Sequence, residues 1–195
     1  MKYTQIPTNT FKQMQLNAGV LLSSFTPSTA TFSADDIIGA TSGGINFTAT
    51  PTFVDFGEDV DNCPKNTMEL KKLDTWEVKM SGSFATVTAS LAKSLVGAGD
   101  VGSTDTTKVT PRADLDEDDF DDLWWVGDYS DKNVDGTSAT AGFVAIHMMN
   151  TLSTGGFQIQ TADKEKGKFS FEFTAHYSID DIDTVPFEIY VKAGT

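Results

Sequence analysis

Lys168-Phe169-Ser170-Phe171-Glu172-Phe173-Thr174-Ala175-His176-Tyr177 alternates without a break, with Phe169, Phe171, Phe173, Ala175 and Tyr177 on one side and Lys168, Ser170, Glu172, Thr174 and His176 on the other. A period of two sends successive side chains to opposite faces of an extended chain, so this stretch is a β-strand with one face buried and one wet. Working outward, the same period returns. Trp76, Val78, Met80 and Phe84 alternate with Glu77, Lys79, Ser81 and Ser83, and Gly82 marks a bulge. From Gly43, Ile45, Phe47, Ala49 and Phe53 oppose Asn46, Thr48, Thr50 and Thr52. Downstream, Pro186 opens a last strand in which Phe187, Ile189 and Val191 oppose Glu188, Tyr190 and Lys192. Residues 20–22, ending near Phe25 and Pro27, fit a buried first strand, and 143–149 fit a strand covered from both sides.

One helix interrupts the series. Thr88 or Ser90 caps its free amides, Leu91 and Leu95 share a face at i, i+4, and Gly97 suits the left-handed position past its end. Strands with a single short helix and no strand-helix rhythm predict a mostly β, two-sheet antiparallel sandwich with that helix on its flank, because parallel sheets need crossover helices. A chain of 195 residues has enough length to bury about 70% of its unfolded surface in one core. The whole of 1–195 therefore reads as one domain.

The connections carry the remaining organisation. Residues 1–15 mix Thr, Asn, Gln and Lys around Pro7 and read as an extended arm of the kind that orders on a neighbour. The connection 57–74 is polar, with Asn62, Cys63, Pro64 and Asn66, and its apolar members are Met68, Leu70 and Leu73. Compact domains usually join strands with about 4–6 residues, so a connection this long points to a binding or assembly role or to a mobile segment. Residues 99–110 and 128–140 are loops by composition.

Charge narrows the function classes. With 14 Lys+Arg against 28 Asp+Glu, the formal net charge of −14 repels nucleic acid and anionic lipid. Such a surface still suits a duplex that must slide past without sticking. Cys63 is the only cysteine, so no internal disulfide forms, and folding in a reducing cytoplasm is expected. Met1 begins no continuous apolar stretch of signal-peptide type, and no run approaches the roughly 20 residues of a membrane span.

Four features invite chemistry. Asp131-Lys132-Asn133-Val134-Asp135-Gly136 reproduces the first half of a calcium loop, yet Gly142 stands where the bidentate Glu belongs, and Asp-Gly between strands is also a hairpin turn. Seven carboxylates crowd 114–122. They read as a diffuse cation site, a solvated loop, or a face toward a passage or partner. His147 lies in an apolar strand, where a core or interface histidine is the simpler reading than a base, and His176 lies on a polar strand face. Neither has a nucleophile marked nearby, and Cys63 has no protease or redox signature. Trp124 and Trp125 are adjacent, so one points to the core and the other wants cover from a partner subunit or a carbohydrate. The residues thus predict a protein without catalysis or cofactor, and a carbohydrate- or calcium-binding sandwich is the alternative.

In Ile38-Gly39-Ala40-Thr41-Ser42-Gly43-Gly44-Ile45-Asn46-Phe47, Phe53-Val54-Asp55-Phe56-Gly57-Glu58-Asp59-Val60-Asp61-Asn62 and Leu70-Lys71-Lys72-Leu73, and again over 76–95 and 166–192, the chain resembles the major tail proteins of long-tailed, non-contractile bacteriophages. The likeness is one of texture and order of elements. It implies a sandwich flanked by a helix, hexameric rings stacked into a tube in the virion tail, and an acidic inner wall past which DNA is ejected. It further implies synthesis in the host cytoplasm, and contacts with tail terminator, tape measure and distal tail proteins. The connection 57–74 matches the loop that reaches the adjacent ring, which makes Phe56, Met68, Leu70 and Leu73 the expected assembly residues.

Overall fold

A computed structural model describes residues 6–7, 10, 13–129 and 142–193. The described residues fold into ten strands, β1 (Gln15–Leu22), β2 (Thr41–Asp55), β3 (Lys71–Phe84), β4 (Gly99–Val101), β5 (Val109–Pro111), β6 (Asp121–Tyr129), β7 (Phe143–Ser153), β8 (Gln158–Gln160), β9 (Lys168–Ala175) and β10 (Phe187–Lys192), with one α-helix, α1 (Ala89–Val96). The alternation of 168–177 does make the central strand, β9, and its Phe171, Phe173 and Ala175 are buried.

All pairings are antiparallel, and the main sheet runs β1-β6-β7-β9-β3-β2, with β10 added to β7 and β8 to β9. β7 is the corner. Its first half pairs with β6 on one side and β10 on the other, whereas Thr151, Leu152 and Ser153 pair with β9. Between the halves Asn150 takes φ 49°, a left-handed turn that Asn tolerates better than most residues. Its backbone N–H donates to Asp122, its side-chain amide donates to the His176 carbonyl, and its own carbonyl lies 3.1 Å from His176 Nδ1. The bend divides the strands into two layers, β1-β6-β7-β10 and β2-β3-β9-β8, as in sandwiches whose strands switch sheets at a corner. Phe187 of β10 packs on Phe47 of β2 and Trp76 of β3, with centroids 6.0 and 5.4 Å apart.

The core between the layers joins Leu21, Val78, Met80, Phe84, Leu123, Met148, Phe171 and Phe173 with the helix residues Leu91 and Leu95. The capping signals act as read, since Thr88 accepts from the Leu91 N–H and Gly97 has φ 85°. A second cluster of Leu22, Phe25, Trp124, Val126, Phe143 and Ala145 lies on the outer face of the β6-β7 layer.

Three expectations of extent need correction. β1 starts at Gln15, five residues before the apolar run, and most of the expected arm lies outside the described residues. Residues 99–110, read as loop, hold β4 and β5, which pair from Gly99↔Pro111 to Val101↔Val109. The long connection covers 56–70, because Lys71 already pairs with Asp55. Hairpin pairing continues past the point where polar composition suggested it had stopped.

Candidate assembly surface and acidic cleft

The β2-β3 hairpin extends beyond the sheet. β3 meets β9 only from Lys79 to Phe84, whereas its pairing with β2 continues down to Lys71. Among the described residues the ribbon of 49–55 against 71–78 thus has no further strand paired to it, and a lone two-stranded ribbon is marginal in water. It is rich in unshielded apolar groups. Phe53, Val54, Phe56, Val60 and Leu73 are exposed, and Met68 is 81% exposed. Lys71 and Lys72 lie over the rings of Phe53 and Phe56, at 5.4 and 5.9 Å.

The tip is nevertheless an organised loop. Asp55 accepts from the N–H groups of Asn66 at 2.8 Å and Gly57 at 2.9 Å. Those two amides, Asn66 first, hold its carboxyl below the ordinary value. Phe56 N–H donates to the Leu70 carbonyl, and Asn62 and Asn66 take φ 63° and 61° at the turns. Of the four residues expected at an interface, Phe56, Met68 and Leu73 face solvent, and Leu70 is half-buried over Gly57. Cys63 is half-buried in the same loop, with Sγ 3.5 Å from the Thr67 hydroxyl.

The acidic run 114–122 is more ordered than a solvated loop. Arg112, the only arginine of the chain, makes ion pairs with Asp100, Asp116 and Asp119, and the Asp119 side chain is fully buried. Burial by itself would lower the guanidinium, and the three carboxylates more than reverse this, so its ionisation lies above the ordinary range. Asp119 also accepts from the Asp116 N–H, which closes a short 3-10 turn at 117–119. Beside this turn opens a cleft of ≈ 460 Å³, reached by Asp35, Asp36, Asp119, Asp121 and Asp122 and floored by Leu123 and Phe173. Its other polar groups are Ser and Thr hydroxyls, and Thr151 and Ser153 already donate to the Asp121 and Leu95 carbonyls. No His, Cys or Lys is among the residues that line it.

His147 lies outside the cleft on the outer face of β7. Its Nε2 is 3.0 Å from Asp122, its Nδ1 is 3.7 Å from Glu188, and its ring stacks on Trp124 at 4.0 Å and 9°. The ring is satisfied within the chain. The two tryptophans do face opposite ways, yet neither waits for a partner. Trp124 is only 8% exposed, beneath Phe25, Tyr190 and His147. Trp125 packs on the main core and donates to the Ala18 carbonyl. Its ring lies over Gly19 and Gly127, where a Cβ would come within 2.4 and 2.6 Å of it. The sequence signal for this seat was the pair of glycines, Gly19 on β1 and Gly127 two residues along the ring's own strand, β6.

The partial calcium loop, Asp131 to Gly136, lies outside the described residues. Among the described residues no three His, Cys, Asp or Glu side chains converge in a way that could hold a metal ion, and no helix is long and apolar enough to cross a membrane. Comparison with known families finds no matching family model, and comparison with curated proteins finds no match either.

Proposed function

We propose that this protein is a structural subunit that works by assembling with copies of itself, and specifically a tail tube protein whose stacked hexameric rings conduct phage DNA. The observation that carries the reading is the projecting β2-β3 hairpin, which presents Phe53, Phe56, Met68 and Leu73 to solvent at the end of an ordered ribbon. Apolar groups held out by a costly, specific loop are what an interface requires and what an isolated soluble domain avoids. Supporting it are the resemblance in sequence texture and the net charge of −14, which lets a duplex pass without being held. In this reading the tip inserts against the next ring, Leu70 and Asp55 shape it, and terminator, tape measure and distal tail proteins cap or fill the tube. Trp124 is buried and Trp125 half-buried, so neither ring stands out from the surface as a carbohydrate platform would.

The test is electron microscopy of the purified chain across concentration, with and without tail-initiating proteins. Rings or tubes with an open channel are expected. A protein that stays monomeric under all these conditions would overturn the proposal.

A further inference from the structure

Four strands end a layer, β1 and β10 in one and β2 and β8 in the other. An edge strand offers unpaired N–H and C=O groups, and most proteins blunt such edges. β1 is broken by a register shift between Leu16 and Val20, with Asn17 and Gly19 at φ 65° and 72°. β2 carries two register shifts and Pro51, which has no N–H to offer. β8 is three residues long. β10 has none of these devices. Its register against β7 is unbroken from Phe187↔Met148 to Lys192↔Phe143, and among the described residues no strand pairs with its other edge. Ile189 and Val191 are 55% and 62% exposed, although they share a face with the packed Phe187.

We infer that β10 pairs antiparallel with β10 of a second copy of this chain, about a two-fold axis through Tyr190. In that register Glu188 faces the partner's Lys192, Ile189 faces the partner's Val191, and Tyr190 faces its own symmetry mate. Each unlike pair occurs twice, so the strand is complementary to itself in both charge and apolar shape. Sliding by two residues, the smallest step that keeps the faces matched, sets Glu188 or Lys192 against Tyr190 and loses both charge pairs. On the outer face Tyr190 donates to Glu188 and leans on Trp124, and Lys192 lies over Phe143, so these side chains are already ordered for pairing. The contact joins two layers into one continuous sheet. It is smaller than a standard interface, so the association is weak.

Sedimentation equilibrium up to about 1 mM protein, where millimolar affinities still populate a dimer, reads the association. Below the onset of ring assembly wild type is expected to enter a monomer–dimer equilibrium, and Glu188→Lys and Lys192→Glu are each expected to stay monomeric there, since each opposes like charges. An equimolar mixture of the two restores the dimer, because every opposed pair is then unlike. A monomeric wild type, single variants that dimerise like wild type, or a mixture that stays monomeric would each overturn the inference. Glu188 also borders His147, so a geometric readout accompanies the charge swap. In a Cys63→Ser background, Ile189→Cys and Val191→Cys chains should oxidise to a disulfide dimer when mixed, since opposed Cβ atoms approach to about 4.5–5.5 Å. Lack of that cross-link refutes the register. The dimer does not depend on the tube reading, and it should persist in a Phe56→Ser, Met68→Ser variant whose rings no longer stack into tubes.

Discussion

The double substitution Phe56→Ser, Met68→Ser separates folding from assembly. Phe56 is 60% and Met68 81% exposed, so the folded monomer gains little from either. Exposed substitutions of this kind usually change stability by no more than about 0.5 kcal/mol. Their value appears only when another subunit covers them. Fully burying a Phe or Met side chain contributes about 1.5–3 kcal/mol, and the exposed shares leave roughly 1–2 kcal/mol for each to gain at an interface. Losing both should weaken each hairpin contact by roughly 2–4 kcal/mol, or about 30- to 1000-fold in the association constant. Light scattering against concentration gives the assembly threshold, and thermal denaturation of the unassembled protein gives stability. An unchanged threshold with an intact fold would refute the hairpin as the contact. A large fall in melting temperature would show instead that these side chains serve the monomer.

Other expectations follow from single contacts. Asp55 has a lowered carboxyl in the fold, so its contribution to tip order is complete above the ordinary carboxylate range near pH 4 and is lost as pH falls through the lower folded value. Amide exchange of Gly57 and Asn66 should accelerate below that pH, and Asp55→Asn should remove the transition. Phe84 is fully buried, 4.6 Å from Phe171. Phe84→Ala should cost about 3–5 kcal/mol, and a thermal scan should show the midpoint fall by about 6–20 °C. Gly19→Ala places a Cβ within 2.4 Å of Trp125 at a φ of 72°. It should shift Trp125 fluorescence and destabilise the fold, whereas Gly156→Ala, with open space around it at φ 68°, should leave the fluorescence unchanged.

Strands β2, β3 and β9 were legible in the sequence because each turns one face toward the core, which writes a period of two into the residues, and β10 carries the same period although Ile189 and Val191 stay exposed. Helix α1 was legible because its cap, its i, i+4 pair and its terminal glycine are all local. What failed were judgements that depend on side-chain contacts and not on local period. The corner in β7 rests on Asn150, whose turn is secured by Asp122 and His176 from other strands. The acidic run 114–122 looked solvated because Arg112, which organises it, belongs to the preceding strand's end. Trp124 and Trp125 looked short of cover because the cover comes from Phe25, Tyr190, Gly19 and Gly127, spread over most of the chain.

The sequence by itself thus determined the strands with a clear period of two, the helix, the acidity and the presence of a long apolar-anchored connection, since these follow from local period and composition, whereas β4, β5, β6 and β8 carry no such period. Only the tertiary structure decided that the connection crowns a ribbon projecting past its sheet, and that β10 is the one regular edge among the described strands. Both depend on which strands have neighbours, and pairing across a hundred residues leaves no periodic mark on the strands it joins.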